Sequence, residues 1–352
     1  MFRTSFVSTG RLLGRSLFLH QESSLFHGSS AFSGFAVQQA EDFDPDKWGK
    51  AAAEYDRAFG SKFRSYAREG LRRIHSDGGL NGDVDIIDVG CGPGPVLQCL
   101  SESDEISEHV KSLHAVDFSS EMVHVCRENY KDLCESGAQV PPLVDIAVMN
   151  GQDLKYNDSA FDIAVAFFSV MFFPNRAAGL QELVRVLRPG GKALVAGWAP
   201  AKQIDWISFS NRAVVNTVGK EVIGKIIAME PGVDPRQVSP NFAVWSNPTT
   251  FHDELVLAGF ENVAVEPVTQ RFDLGYGAQG IEKTKQTWMD MCLSFPTLSY
   301  VVTQAAKEMD CDETDLKNQI AEKFSQDISH RGDGECWVEG TAHFGWGSAP
   351  EQ

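Results

Sequence analysis

The chain has 352 residues, 43% apolar and 22% charged, enough for one large α/β domain with insertions or two modest ones. Its 48 acidic residues against 31 basic ones give a formal charge of −17, which argues against a nucleic-acid backbone or an anionic membrane surface as partner. The longest apolar run, residues 161–173, contains Asp162 and is too short to cross a bilayer, so no transmembrane segment is expected. Seven scattered cysteines (91, 99, 126, 134, 292, 311 and 336) form no paired motif, so neither a disulfide framework nor a metal site is expected.

In chain order, residues 1–40 differ from the rest. Arg3, Arg11 and Arg15 are interspersed with Ser, Thr, Leu and Phe, and no acid precedes Glu22. This is the composition of an organelle transit peptide, read first as mitochondrial and second as plastid. A plain N-terminal tail on a cytoplasmic protein is the alternative. Folded structure is expected over 44–352. From Trp48 onward, Tyr55, Phe59, Phe63 and Tyr66 recur at intervals of four, four and three, which marks one face of a helix packed on a sheet.

The most informative stretch is Ile86-Ile87-Asp88-Val89-Gly90-Cys91-Gly92-Pro93-Gly94. An apolar, β-prone run ends in an acid, glycines follow at every second position, and Pro95 opens a helical segment. Such a strand–turn–helix brings backbone close to a ligand, because glycine has no Cβ and tolerates positive φ. The helix start then offers unpaired N–H groups. Dinucleotide-binding turns place the third glycine one step later. Next, residues 113–117 read as a second strand ending in Asp117, with Ser119 capping a following helix. One carboxylate there can accept from two vicinal ribose hydroxyls. Phe118 and Met122 are apolar neighbours suited to an adenine.

The pattern D-x-G-x-G-x-G resembles the first motif of class I S-adenosylmethionine-dependent methyltransferases. The resemblance implies S-adenosyl-L-methionine as cofactor, with Asp88, Gly90, Cys91, Gly92, Gly94, Asp117, Phe118 and Met122 around it. It also implies that an aromatic of the leading helix, here Tyr55, closes over the cofactor. A third strand, residues 143–149, leads into Asn150-Gly151-Gln152. The family places an acid against the adenine amino group there. Asn150 falls on that position and can still accept from an N–H, without charge.

A buried fourth strand over 159–166 is followed by Phe167, Phe168 and Ser169, at the sheet end where ligands bind in open parallel sheets. Phe167 is assigned to the cofactor side. The string from Phe172 to Trp198, FFPNRAAGLQELVRVLRPGGKALVAGW, resembles the corresponding segment of the methyltransferase type-11 family, close to the ubiquinone/menaquinone C-methyltransferases. Its Pro189-Gly190-Gly191 reads as a helix stop that turns the chain into a fifth strand. Thr249 and Thr250 read as the cap of a helix ending at Gly259, followed by a sixth strand over 260–268 and a seventh over 337–346. The fold class implied is α/β, a seven-stranded doubly wound Rossmann-like sheet in the order 3-2-1-4-5-7-6, with the seventh strand antiparallel. Residues 84–198 form its cofactor-binding core.

Two helical insertions, residues 199–248 and 275–335, are rich in bulky side chains. Ser169, Phe172, Trp198, Trp206, Trp245 and Trp288 are assigned to an aromatic roof over a small-molecule acceptor. Packing between an added helix and the sheet is the alternative, and the same aromatics would serve a homodimer interface. A sulfonium methyl is already electrophilic, so alignment of the acceptor dominates, and only a phenol, alcohol or carbon acid needs a base. His252, His330, His343, Asp205 and Tyr276 are candidate bases, and no spacing singles out one; the catalytic residue stays open. The acceptor stays open as well, between a quinone or phenol, a thioether or hydroxy acid (S-methylation), and a small amine (N-methylation). Two further readings are a catalytically silent assembly subunit with this fold and an NAD-dependent oxidoreductase.

Overall fold

The computed structural model describes residues 45–229, 244–294, 296–329 and 335–351. Seven strands form one sheet in the order β3-β2-β1-β4-β5-β7-β6. They are β1 (Val84–Val89), β2 (Val110–Asp117), β3 (Leu143–Val148), β4 (Phe161–Phe167), β5 (Leu187–Trp198), β6 (Glu261–Tyr276) and β7 (Glu335–Ser348). β1 to β5 pair in parallel, and β7 runs antiparallel to both β5 and β6. This is the doubly wound sheet expected from the sequence. β1 and β4 are buried almost throughout, as strands covered on both faces by helices must be.

Helix α1 (Pro45–Ser76) crosses the sheet with Phe63, Tyr66 and Ala67 buried beneath it. The contact is close at Gly70, where a Cβ would stand 2.5 Å from Leu194 Cδ2 and 2.7 Å from Phe167 Cζ. The Tyr66 hydroxyl donates to the Gly340 carbonyl at 2.6 Å, tying α1 to β7. α2 (Pro95–Ser101) and the short α3 (Asp104–Ser107) follow β1. α4 (Ser120–Glu135) starts at Ser119, whose Oγ accepts from the Met122 N–H at 3.3 Å, the cap read from the sequence. α5 (Arg176–Val186) is capped in the same way by Asn175.

Three local readings are corrected. The Pro189-Gly190-Gly191 segment is not a helix stop. α5 ends at Val186, and the strand begins at Leu187, with a bulge that accommodates Gly190 at φ 72° before pairing resumes at Lys192. α8 (Pro248–Ala258) is capped by Asn247, which accepts from the Thr249 N–H at 2.9 Å, rather than by Thr249 or Thr250. β6 extends to Tyr276, well past the predicted end at Val268, because β7 pairs with it along its length.

The insertions contribute α6 (Asp205–Val218), α7 (Lys220–Met229), α9 (Gly277–Ser294), α10 (Pro296–Glu308) and α11 (Glu313–Ser329). α11 packs on α6, α9 and α10, and α9 packs on α1. The insertions thus back the leading helix. Among the described residues no helix is long and apolar enough to cross a membrane.

Candidate active site

The carboxyl ends of β1, β2 and β4 converge below α1. Residues 90–94 turn sharply there, with Gly90, Gly92 and Gly94 at φ 74°, 52° and 91°, all in the left-handed region. The N–H groups of Gly90 and Cys91 both donate to the Val116 carbonyl, at 2.7 and 3.0 Å, which pins the turn to β2. A Cβ on Gly90 would collide with Ser169, and one on Gly94 would stand 2.8 Å from Cys126 Sγ. At Gly92 nothing lies within 4 Å, so that residue faces open space.

Asp117 braces the turn from the end of β2. Its Oδ2 accepts from the Gly92 N–H at 2.9 Å and its Oδ1 from the Ser119 N–H at 3.0 Å. Burial raises its carboxyl above the usual range, opposed by backbone hydrogen bonds from Ser119, Gly92 and Phe118. Asp88, one strand over, is 2% exposed. Burial, and secondarily the neighbouring Asp117, push its pKa up to about 8.

These groups border a cleft of about 790 Å³, its open mouth included. Gly90, Cys91, Gly92, Asp117, Phe118 and Met122 form one wall, and Phe167, Phe168, Ser169, Phe172 and Phe173 form another. Asp56, Gly60 and Phe63 of α1 close it from above. Phe168 is a non-glycine residue at φ 56°. Its N–H donates to the Ala196 carbonyl at 3.0 Å and its ring stacks on Trp198 at 4.2 Å, contacts that hold the strained backbone. The Ser169 hydroxyl donates to the Val89 carbonyl at 2.6 Å.

Nine residues singled out from the sequence therefore meet in one cleft: Gly90, Cys91, Gly92, Asp117, Phe118, Met122, Phe167, Ser169 and Phe172. Asp88 and Gly94 are in the strand and turn that carry this wall, outside its lining. Asn150, Gly151 and Gln152 do not line the cleft. Asn150 is exposed, and its Oδ1 accepts from the Gln152 N–H and Nε2 at 2.9 and 3.2 Å. Gln152 in turn accepts from the Asn175 N–H at 2.8 Å, and Gly151 is buried, with a Cβ site 2.6 Å from Phe173 Cζ. The side chain of Tyr55 falls outside the described residues.

The expected tryptophan roof is a set of packing contacts instead. Trp206, Trp245 and Trp288 are each at most 1% exposed and none reaches the cleft. Trp206 meets Trp198 and Phe272 edge-on and fills the space over Gly340. Trp245 stacks on Phe251 at 4.1 Å and donates to Glu254 at 3.0 Å. Trp288 donates to Ser210 Oγ at 3.0 Å. Trp198 lies behind Phe168 and is 2% exposed. These rings bury the joints between inserted helices and sheet, where apolar area is worth about 25 cal/mol per Å².

The candidate bases lie elsewhere too. His343 Nδ1 donates to the Trp245 carbonyl at 2.8 Å, and Asp205 accepts from the Glu339 N–H at 2.7 Å. Tyr276 is 67% exposed, His252 sits beside Asp253 on α8, and His330 falls outside the described residues. The group missed in the sequence is Asp56. With Gly60 and Phe63 it forms an i, i+4, i+7 stripe on α1, a periodicity that was legible but read through its aromatics alone.

Comparison with known proteins matches residues 87–195 to the family described as "Methyltransferase domain". A phosphatidylethanolamine N-methyltransferase from Cereibacter sphaeroides is 28% identical over 146 residues, 42% of this chain and 64% of that protein. The ubiquinone/menaquinone biosynthesis C-methyltransferase UbiE of Geobacter sp. (strain M21) is 30% identical over 132 residues, 38% of this chain and 51% of that protein. A demethylmenaquinone methyltransferase of Leptospira interrogans is 26% identical over 185 residues, 50% of this chain and 70% of that protein. The chain thus spans between half and about two thirds of the length of the first two relatives. With the glycine turn, the bracing carboxylate and the seven-stranded order in place, residues 87–195 of the chain match the methyltransferase domain family.

Proposed function

We propose that the protein binds S-adenosyl-L-methionine in this cleft and methylates a small organic acceptor. The observation that carries the reading is the pairing of an open, left-handed Gly92 with the Asp117 carboxylate on one wall of a single cleft. The residues fit the cofactor. The open backbone at Gly92 leaves room for its amino-acid end, Asp117 retains lone pairs for ribose hydroxyls, and Phe118 with Met122 offers apolar surface to the adenine. When bound, the cofactor supplies an electrophilic methyl group. The chain's own work is then to hold the acceptor in line and to exclude water, and alignment of this kind accounts for roughly 7–11 kcal/mol. Phe63, Phe168, Phe172 and Phe173 give the cleft apolar walls for that purpose.

Calorimetry of the folded chain tests the reading. Heat with S-adenosylhomocysteine and none with NADH is expected; the reverse pattern would sink it. Methyl-labelled cofactor incubated with a metabolite extract, followed by mass spectrometry, would then identify the product. Residues 1–40 we read as a mitochondrial transit peptide, on their Arg and Ser content and lack of acids before Glu22. A fluorescent protein fused behind them should enter mitochondria, and diffuse cytosolic signal would contradict this.

A further inference from the structure

The cleft's charge is one-sided. Among the described residues its lining holds two ionisable carboxylates, Asp56 and Asp117, and no lysine, arginine or histidine. The one side-chain N–H donor in that lining is the Gln98 amide. The Ser169 hydroxyl is committed to the Val89 carbonyl. A carboxylate- or phosphate-bearing acceptor would therefore lose its hydration without gaining a counter-charge, at a cost of several kcal/mol if it were deeply buried.

Asp117 is engaged at the cofactor wall by two backbone N–H groups. Asp56 belongs to the other wall, on α1, with Phe63 one turn beyond Gly60 on the same face. Its carboxylate is folded along the helix over Gly60, and a Cβ at position 60 would collide with Asp56 Oδ1. Glycine is otherwise a poor choice inside a 32-residue helix, weaker than alanine by roughly 1 kcal/mol. Burial raises the Asp56 carboxyl, partly offset by the charge of Arg64. Phenylalanines 63, 167, 168, 172 and 173 line the same cleft, and aromatic rings attract cations.

We propose that the acceptor side of the cleft recognises an ammonium-bearing substrate, with Asp56 as its counter-charge and the cleft phenylalanines as its cation-binding wall. This rests on the methyltransferase reading and narrows its acceptor to an amine. Asp56 both attracts the protonated amine from solvent and is placed to take the proton that must leave before nitrogen has a lone pair to offer.

The test uses the full chain saturated with S-adenosylhomocysteine and three probes of one shape: phenethylammonium, 2-phenylethanol and 3-phenylpropionate. Ligand-observed NMR titration should rank the ammonium at least about tenfold above the anion, with the alcohol between. Asp56→Asn should reduce that preference to below about threefold while leaving S-adenosylhomocysteine affinity within about twofold, and Asp56→Glu should restore most of it. Equal or tighter binding of 3-phenylpropionate would overturn the proposal, as would an unchanged preference in Asp56→Asn. Loss of S-adenosylmethionine affinity in Asp56→Asn with S-adenosylhomocysteine unaffected would also overturn it, assigning the carboxylate to the sulfonium. Failure of the unaltered chain to bind S-adenosylhomocysteine at all would instead strike the methyltransferase reading itself.

Discussion

Gly92→Ala separates the ligand-holding role of the turn from its structural role. Gly92 sits at φ 52°, where an L-residue with a Cβ costs roughly 1–2 kcal/mol. No atom lies within 4 Å of the added methyl group, so no overpacking cost adds to that figure. Each kcal/mol lowers Tm by roughly 2–4 °C in domains of 150–250 residues, and by less in a chain this long. The variant should therefore unfold only a few degrees below wild type in a ligand-free thermal melt. The methyl group does, however, project into the space that the cofactor's amino-acid end is to occupy. Calorimetry should find S-adenosylhomocysteine affinity reduced at least tenfold, about 1.4 kcal/mol or more. Gly90→Ala is the control, because there the methyl runs into Ser169 and overpacking adds about 1–3 kcal/mol to the backbone cost. It should lose far more stability. Wild-type affinity in Gly92→Ala would refute the idea that this turn cradles the cofactor.

Asp117→Ala should weaken S-adenosylhomocysteine binding by about 1–3 kcal/mol, read by the same calorimetry; unchanged affinity would remove Asp117 from the ribose role. The raised pKa of Asp88, about 8, means the folded state holds a proton that the unfolded state releases near pH 4. Stability from this group is complete below that lower value and is lost as pH rises through about 8. Ligand-free melts should show a falling Tm between pH 5 and 8, and Asp88→Asn should flatten the slope; an unaltered slope would contradict the assignment. Tyr66→Phe deletes the buried 2.6 Å bond to the Gly340 carbonyl and should cost about 1 kcal/mol in denaturant unfolding.

The sheet was readable because its signals are local and redundant. β1 and β4 are short apolar runs flanked by turn residues, and β2 and β4 lead into helices capped by Ser119 and Asn175. The glycine turn was readable for a similar reason, since three left-handed residues in five leave few alternatives to glycine. What escaped depended on partners distant in sequence. The extension of β6 to Tyr276 is set by β7, some sixty residues later. The tryptophans were read as a ligand wall because composition records bulk and not direction. Trp245 is turned towards Phe251 and Glu254, a choice made by α8 and invisible at position 245. Asp56 was passed over because a lone acid in a helix usually faces water. Only the packing of α1 against α2 and β4 brings it to the cleft.

The placement of β7 has a kinetic consequence. β6 has no strand neighbour other than β7, and β7 must slot between β6 and β5. Until residues 335–348 arrive, β5 presents a bare edge and β6 has nowhere to attach, while α9, α10 and α11 lie on the chain between them. Contacts of such long sequence separation close slowly. The β7–β6 side of the sheet should therefore assemble last, with the unpaired β5 rim as the surface most prone to stray association during refolding.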